Sequence, residues 1–194
     1  MIAVVILAGG EGRRIGGGKP LRMLAGKSLL DHALALARQW STLIGISVRD
    51  ATSAVHSTGA PFLPDTVGSG PIAGIASALA FGRAQGVGLV LTIPCDTPFL
   101  PPDMFDRLAA ALVPSAGSAI AASGGRLHPS CGLWRVVADA ALPAFLAFGR
   151  SSLNGFAETL GAVTVEWPVA PFDPFFNINS ETDLAEAEAL IKNG

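Results

Sequence analysis

A glycine-rich basic segment follows the first apolar run of the chain. From Leu7 to Lys19 the sequence reads LAGGEGRRIGGGK, so Arg13, Arg14 and Lys19 stand among closely spaced glycines. Glycine allows tight turns and a close backbone approach to a ligand, and successive backbone N–H groups form concave anion sites. A solvated surface loop is the simpler explanation, but this density of glycine and charge directly after an apolar run favours a phosphate-binding loop.

The segment matches neither of the two commoner glycine-rich phosphate motifs. A dinucleotide fingerprint, G-x-G-x-x-G, starting at Gly10 would need glycine where the chain has Ile15. A P-loop, G-x-x-x-x-G-K-[ST], is excluded at Lys19 because Pro20 follows it. It is excluded at the later GKS because Leu21 occupies the first glycine position. The chemistry expected here is therefore phosphate binding by another kind of loop.

Two aspartates and two asparagines are candidates to complete this site. Asp96 lies between prolines in the segment PCDTP, directly after an apolar run, and Asp65 follows a shorter one. A carboxylate at a strand end beside phosphates suits Mg²⁺, although aspartate is also a common turn residue. Asn177 and Asn179 alternate with apolar residues in FNIN, so both project from the same side of an extended segment.

Composition limits the partners of this site. Half of the 194 residues are hydrophobic and the formal net charge is −2. The length predicts a single domain over residues 1–194, and the charge gives no electrostatic footprint for a nucleic acid. No segment predicts a membrane span or a secretory signal, so we expect a cytosolic protein. Cys95 and Cys131 have no metal-ligand spacing and receive no role.

The elements that must position these residues alternate between strands and helices. The predicted strands are 2–7, 43–48, 62–64, 88–93, 118–122, 131–134 and 162–167, and the predicted helices are 29–40, 72–83, 102–112, 136–148 and one starting at Ser180. This alternation predicts an α/β fold with a three-layer, doubly wound, mostly parallel sheet. Ligands bind such sheets at the carboxyl ends of the strands, so the glycine-rich loop, Asp65 and Asp96 are expected along one rim.

These motifs together resemble the molybdenum cofactor guanylyltransferases, a family of nucleotidyltransferases with a Rossmann-like fold. The resemblance covers nearly the whole chain and rests on the ordered motifs LAGG with RRIG and Lys19, then GPIAG (70–74), PCDTPFLP (94–101), His128-Pro129, and Asn177-Ile178-Asn179 before Asp183-Leu184. It implies transfer of GMP from GTP to the terminal phosphate of molybdopterin, with release of pyrophosphate. Cofactor-biosynthesis enzymes or acceptor molybdoenzymes are further expected partners, through transient contacts.

The resemblance also implies roles for single residues. The implied nucleotide-binding residues are Leu7, Ala8, Gly9, Gly10, Lys19, Asp65 and Asp96. Arg14, Lys19 and Asp96 are the implied catalytic residues, and Asp96 would hold Mg²⁺. Asn177 and Asn179 match amides on the molybdopterin side. One contact is not carried over, because an asparagine that the family can present at the end of the second strand is absent from residues 46–49.

Three other functions remain alternatives. A molybdopterin cytidylyltransferase would use related loops, but Gly9 stands where such enzymes tend to have alanine, and the missing Cβ leaves room for a purine. Sugar-phosphate nucleotidyltransferases are usually longer. A non-catalytic GTP-binding protein would need neither Asp96 beside Lys19 nor the asparagine pair. Changing Asp96 to asparagine separates enzyme from binder, because only an enzyme has turnover to lose.

Overall fold

Nine strands and six α-helices are present in the part of the chain that the computed structural model describes, namely residues 1–9, 18–49, 59–65, 67 and 70–193. The strands are β1 (Ala3–Leu7), β2 (Met23–Leu24), β3 (Lys27–Ser28), β4 (Ile44–Val48), β5 (Phe62–Pro64), β6 (Leu89–Pro94), β7 (Ser118–Ser123), β8 (Arg126–Arg135) and β9 (Val163–Trp167). The helices are α1 (Leu29–Trp40), α2 (Pro71–Ala84), α3 (Met104–Ala111), α4 (Leu142–Ala147), α5 (Leu153–Thr159) and α6 (Glu181–Asn193), and short 3₁₀ turns span Lys19–Leu21 and Val136–Ala141.

Seven of these strands form one sheet in the order β5-β4-β1-β6-β8-β7-β9. β1 pairs in parallel with both β4 and β6, so that Val5 lies opposite Gly45 on one side and Thr92 on the other. β8 pairs antiparallel with β6 and β7, while β7 and β9 are parallel. β8 therefore runs against the other six strands, and the predicted mostly parallel sheet is confirmed.

Helices cover both faces of the sheet, because the central strands are apolar on both sides. In β1, Ala3 through Ile6 are fully buried, as expected for a central parallel strand. α1 and α3 pack on one face, and α2, α4 and α5 pack on the other. The sheet with its two helical layers is the three-layer arrangement predicted from the alternation of elements.

α1 shows how the sequence specifies these layers. Ser28 caps its first turn, with Ser28 Oγ accepting a hydrogen bond from the Asp31 backbone N–H at 3.0 Å. The buried positions Leu30, Ala33 and Leu34 recur at helical spacing and face the sheet. Among the described residues, no helix is both long and apolar enough to cross a bilayer.

The structure differs from the sequence prediction in its shortest and most irregular parts. β8 starts at Arg126, five residues before the predicted strand at 131, and α5 was not predicted. The hairpin of β2 and β3 was also missed, because two-residue strands show no periodicity. Its turn residues Ala25 and Gly26 both have positive φ, at 48° and 81°, as a two-residue hairpin turn requires.

Candidate active site

A cavity of about 270 Å³ opens at the carboxyl ends of the parallel strands. Its lining residues are Leu7, Gly9, Ser47, Arg49, Asp65, Gly70, Pro71, Gly74, Pro94, Asp96, Ser130 and Asn177. Most of them end β1, β4, β5 and β6 or begin α2. The expectation that strand ends would bring distant motifs to one rim is therefore met for Gly9, Asp65 and Asp96.

Lys19 and Asp96 form an ion pair at this rim. Gly18, with a φ of +61°, starts the 3₁₀ turn that carries Lys19, and the lysine is only 7% exposed. Its Nζ lies 2.5 Å from Asp96 Oδ2 and donates to Asn179 Oδ1 at 2.8 Å. A buried ammonium requires such partners, because desolvation of an unpaired charge is costly. The pair thus fixes a positive charge beside a carboxylate at the cavity edge.

The segment from Asn177 to Asn179 lies directly against this ion pair. The Ile178 backbone N–H donates to the Asp96 carbonyl at 2.9 Å, and the Ile178 side chain is fully buried. Oriented by its surroundings, the Asn177 amide nitrogen donates to Asp96 Oδ1 at 2.6 Å and to Thr97 Oγ1 at 2.9 Å. Both asparagines therefore contact the Lys19–Asp96 pair, on one side of the extended segment as predicted.

The same segment also begins α6. Asp183 accepts hydrogen bonds from the backbone N–H groups of Asn179 at 2.7 Å and Ser180 at 2.9 Å, and Ser180 Oγ accepts from the Asp183 N–H at 3.1 Å. The Asn179 N–H, followed by the Ser180 bonds and the Lys19 charge, lowers the pKa of Asp183 below its usual range. The same contacts thus cap α6 and hold Asn179 beside Lys19.

Asp65 occupies the other end of the cavity. Ser47 Oγ donates to Asp65 Oδ1 at 2.8 Å, and Ser77 Oγ lies 3.4 Å from the same oxygen. A Cβ added at Gly9 would lie 3.3 Å from Asp65 Oδ2 and 3.4 Å from the backbone nitrogen of Arg49. Because Gly9 has no side chain, the end of β1 can lie close to the Asp65 carboxylate. A side chain at this position would crowd that carboxylate.

The remaining predicted residues fall in three groups. Leu7 lines the cavity. Ala8 is 7% exposed and packs in the hydrophobic core, and its N–H donates to the Ser47 carbonyl at 2.8 Å. The Ala8 side chain therefore lies in the core and does not line the cavity. Gly10 and Arg14 lie outside the described residues.

Three cavity residues were not identified from the sequence. Ser47 lies at the end of β4 and Arg49 follows it, so the strand-end rule that selected Asp65 and Asp96 also applies to them. Ser130 is different, because the register of β8 shifts between His128, which lies opposite Ala121, and Gly132, which lies opposite Ile120. Such bulges redirect side chains, and this bulge was not predicted from the sequence.

Asp96 has the chemistry of a magnesium ligand. Mg²⁺ prefers hard oxygen donors and is commonly held by one or two carboxylates together with substrate phosphates. Among the described residues, no group of three or more His, Cys, Asp or Glu side chains could form an all-protein metal site. Cys95 and Cys131 are buried free thiols, and burial raises the pKa of each.

Comparisons with known proteins identify the family of the chain. Residues 4–160 match the family described as MobA-like NTP transferase domain. The chain is 40% identical over 192 residues to a molybdenum cofactor guanylyltransferase of Acidiphilium cryptum, covering 97% of this chain and 94% of that protein. A protein of the same name from Rhodopseudomonas palustris is 41% identical over 195 residues, with 96% and 92% covered.

Solved structures give the same result. Molybdopterin-guanine dinucleotide biosynthesis protein A from Archaeoglobus fulgidus is 27% identical with a TM-score of 0.77, and each chain is covered completely. The 2-C-methyl-D-erythritol 4-phosphate cytidylyltransferase of Thermus thermophilus, at 22% identity and a TM-score of 0.70 over 98% of both chains, shares the fold. With its sheet, its strand-end cavity and these relatives, the chain belongs to the MobA-like NTP transferases and, among them, to the molybdenum cofactor guanylyltransferases.

Proposed function

We propose that this protein transfers GMP from GTP to the terminal phosphate of molybdopterin, which yields the guanine dinucleotide form of the cofactor and pyrophosphate. The observation that carries the proposal is the joining of Lys19, Asp96, Asn177 and Asn179 by short contacts at one edge of a cavity whose other end holds Asp65. A binding protein would need only part of this arrangement. The relatives named above support guanine as the transferred base.

The nucleotide is proposed to lie between Gly9 and the Lys19–Asp96 pair. A carboxylate is purely a hydrogen-bond acceptor, and the N1–H and amino group of guanine are donors. Ser47 binds Asp65 Oδ1, while the site beside Gly9 is next to Oδ2. Asp65 Oδ2 is therefore the atom we assign to a nucleotide donor group, and the small Gly9 allows the base to approach.

The reaction needs alignment and charge neutralisation rather than a covalent enzyme intermediate. A phosphate oxygen of molybdopterin forms a bond to the α-phosphorus of GTP, and the bond from that phosphorus to the oxygen bridging the β-phosphorus breaks. Pyrophosphate leaves with that electron pair. Lys19 has three N–H donors, of which two bind Asp96 and Asn179, and we assign the third to a phosphate oxygen.

Asp96 is the proposed magnesium ligand. When bound, Mg²⁺ supplies charge neutralisation at the phosphates. The Asn177 amide, which lies against Asp96 Oδ1, keeps this carboxylate in place.

Asn177 and Asn179 are assigned to the acceptor substrate, because both side chains are exposed and belong to one extended segment. Arg14 remains a predicted phosphate contact, and the expected transient protein partners remain predictions.

The test is pyrophosphate release with molybdopterin as the acceptor, measured with GTP, CTP or ATP in the presence and absence of Mg²⁺. We expect release with GTP, loss of release on chelation, and formation of one dinucleotide per pyrophosphate. A preference for CTP would overturn the assignment of the base while leaving the reaction class intact. No release with any nucleotide would overturn transfer to molybdopterin and favour a sugar-phosphate acceptor or a binding role.

A further inference from the structure

A polar cluster outside the cavity links β7 and β8 to the segment that carries Asn177. This cluster, here called the β7–β8 turn cluster, consists of Ser123, His128 and Asp173. Ser123 Oγ donates to Asp173 Oδ1 at 2.8 Å and lies 2.7 Å from His128 Nε2. The hydroxyl has one proton, which it gives to Asp173, so it accepts the second bond from the Nε2–H of His128.

The cluster fixes the position of Phe175. Asp173 Oδ1 also accepts a hydrogen bond from the Phe175 backbone N–H at 2.9 Å. The His128 ring stacks on the Phe175 ring with centroids 4.7 Å apart and an interplanar angle of 12°. Trp167 contacts the same phenyl ring edge to face at 5.4 Å. Phe175 is 4% exposed, so both its backbone and its side chain are held.

Asn177 lies between this anchor and a second one. On its other side, the Ile178 N–H donates to the Asp96 carbonyl at 2.9 Å. Asn177 itself is exposed, and its position depends on where its neighbours are held. Loss of the anchor at Phe175 would weaken the attachment on the N-terminal side of Asn177, while Ile178 and Asn179 would still hold the other side. The orientation of the Asn177 amide against Asp96 would then be less well defined.

We propose that Ser123, His128 and Asp173 are positioning residues for the acceptor substrate, and that they act by holding the segment 173–179 so that Asn177 meets both Asp96 and the acceptor. This inference rests on the proposed function in so far as Asn177 faces molybdopterin. None of the three residues lines the cavity. The expected effect is on use of the acceptor, with a smaller effect on GTP, because only Asp96 among its proposed contacts meets Asn177, while Gly9 and Asp65 lie at the other end of the cavity.

β7 provides a matched pair of variants for the test. Ser118 and Ser123 are both buried in this strand, but Ser118 Oγ has no hydrogen-bond partner among the described residues. Ser123→Ala should raise the molybdopterin KM by up to about tenfold, as expected for the loss of one hydrogen bond, with little change in the GTP KM. Ser118→Ala should leave both KM values unchanged, and Ser123→Thr, which keeps the hydroxyl, should restore the wild-type molybdopterin KM.

Hydrogen exchange tests the segment without any catalytic assay. The amides of Phe175 and Ile178 should exchange faster in Ser123→Ala than in wild type, by up to about tenfold for one lost hydrogen bond, and Ser118→Ala should match wild type. Unchanged exchange in Ser123→Ala would overturn the anchoring role. Faster exchange with an unchanged molybdopterin KM would overturn the positioning of substrate. If wild-type protein transfers nothing to molybdopterin, the proposed function fails, while the exchange experiment still tests the anchor.

Discussion

Lys19 Nζ and Asp96 Oδ2 lie 2.5 Å apart. Lys19 comes after β1 in the sequence and Asp96 comes after β6, which is the neighbour of β1 in the sheet. The lysine is 7% exposed, and this partner and Asn179 offset the desolvation of its ammonium group. An ion pair this close to the cavity combines a structural and a chemical role. Variants of the pair therefore have to be judged on stability as well as on turnover.

Asp96→Asn is expected to lower kcat by about 10²–10³-fold, because a preorganised charge at the phosphates is lost. GTP affinity should fall much less, since Asp65 and the β1 end remain. The measurement is steady-state turnover together with the Kd for GTP by calorimetry. Unchanged turnover would remove Asp96 from the mechanism.

The stability control for this variant is a double substitution. Asp96→Asn leaves a buried ammonium without its carboxylate, and we expect a loss of about 1–3 kcal/mol in the free energy of unfolding. In Lys19→Met/Asp96→Asn the unpaired charge is gone, so the loss should be smaller than the sum of the two single losses. Additive losses in urea unfolding would contradict the coupling.

Ser47→Ala is expected to weaken GTP binding by up to about tenfold, because it removes the 2.8 Å hydrogen bond that orients Asp65. Ser77→Ala is the matched control, since the Ser77 hydroxyl lies 3.4 Å from the same oxygen and also contacts the Pro64 carbonyl at 3.1 Å. Calorimetry with GTP should rank Ser47→Ala below Ser77→Ala in affinity. The reverse order would contradict the role given to Ser47.

Gly9→Ala is expected to reduce GTP affinity by about tenfold or more, as overpacking typically costs about 1–3 kcal/mol. The added Cβ would lie 3.3 Å from Asp65 Oδ2, so either the carboxylate or the strand end must shift. The ratio of GTP to CTP affinity should fall as well. Gly88→Ala is the control, because a Cβ at Gly88 meets no described atom within 4 Å. An unchanged affinity ratio would contradict the link between Gly9 and purine binding.

Stability should depend on pH through His128. Burial lowers the pKa of His128 below its ordinary value, an effect that Arg126 adds to and that Asp173 and Glu166 oppose. The unfolded state therefore binds the proton more readily, and the stabilisation present above about pH 6.5 is lost as the pH falls through the lowered pKa. Between pH 7 and pH 5, the Tm of wild type should drop more than that of His128→Phe. Parallel Tm profiles would contradict this assignment.

The central sheet could be predicted because its signals are local. The apolar run of β1, the capped and periodic α1, and the prolines around Asp96 each specify their own element, and the strand-end rule then brings Asp65 and Asp96 to one rim. The same rule, applied to β4, also selects Ser47 and Arg49. The family resemblance pointed only to an asparagine at that strand end, which this chain lacks. No role was therefore predicted for the serine and the arginine found there.

The parts that could not be predicted depend on pairing between distant segments. The direction of β8 is set by β6 and β7 on either side of it, and the bulge that brings Ser130 to the cavity exists only in that pairing. His128 makes a structural hydrogen bond with Ser123. Its stacking on Phe175 depends on a chain segment more than forty residues further on, which no local pattern could reveal.

The hydrogen bond from Lys19 to Asn179 spans 160 residues of sequence. During synthesis, the strands that shape the cavity leave the ribosome long before Asn177 and Asn179 do, and the anchor at Phe175 comes only shortly before them. The proposed group transfer therefore requires nearly the whole chain, because the residues assigned to the acceptor are made among the last of the sequence.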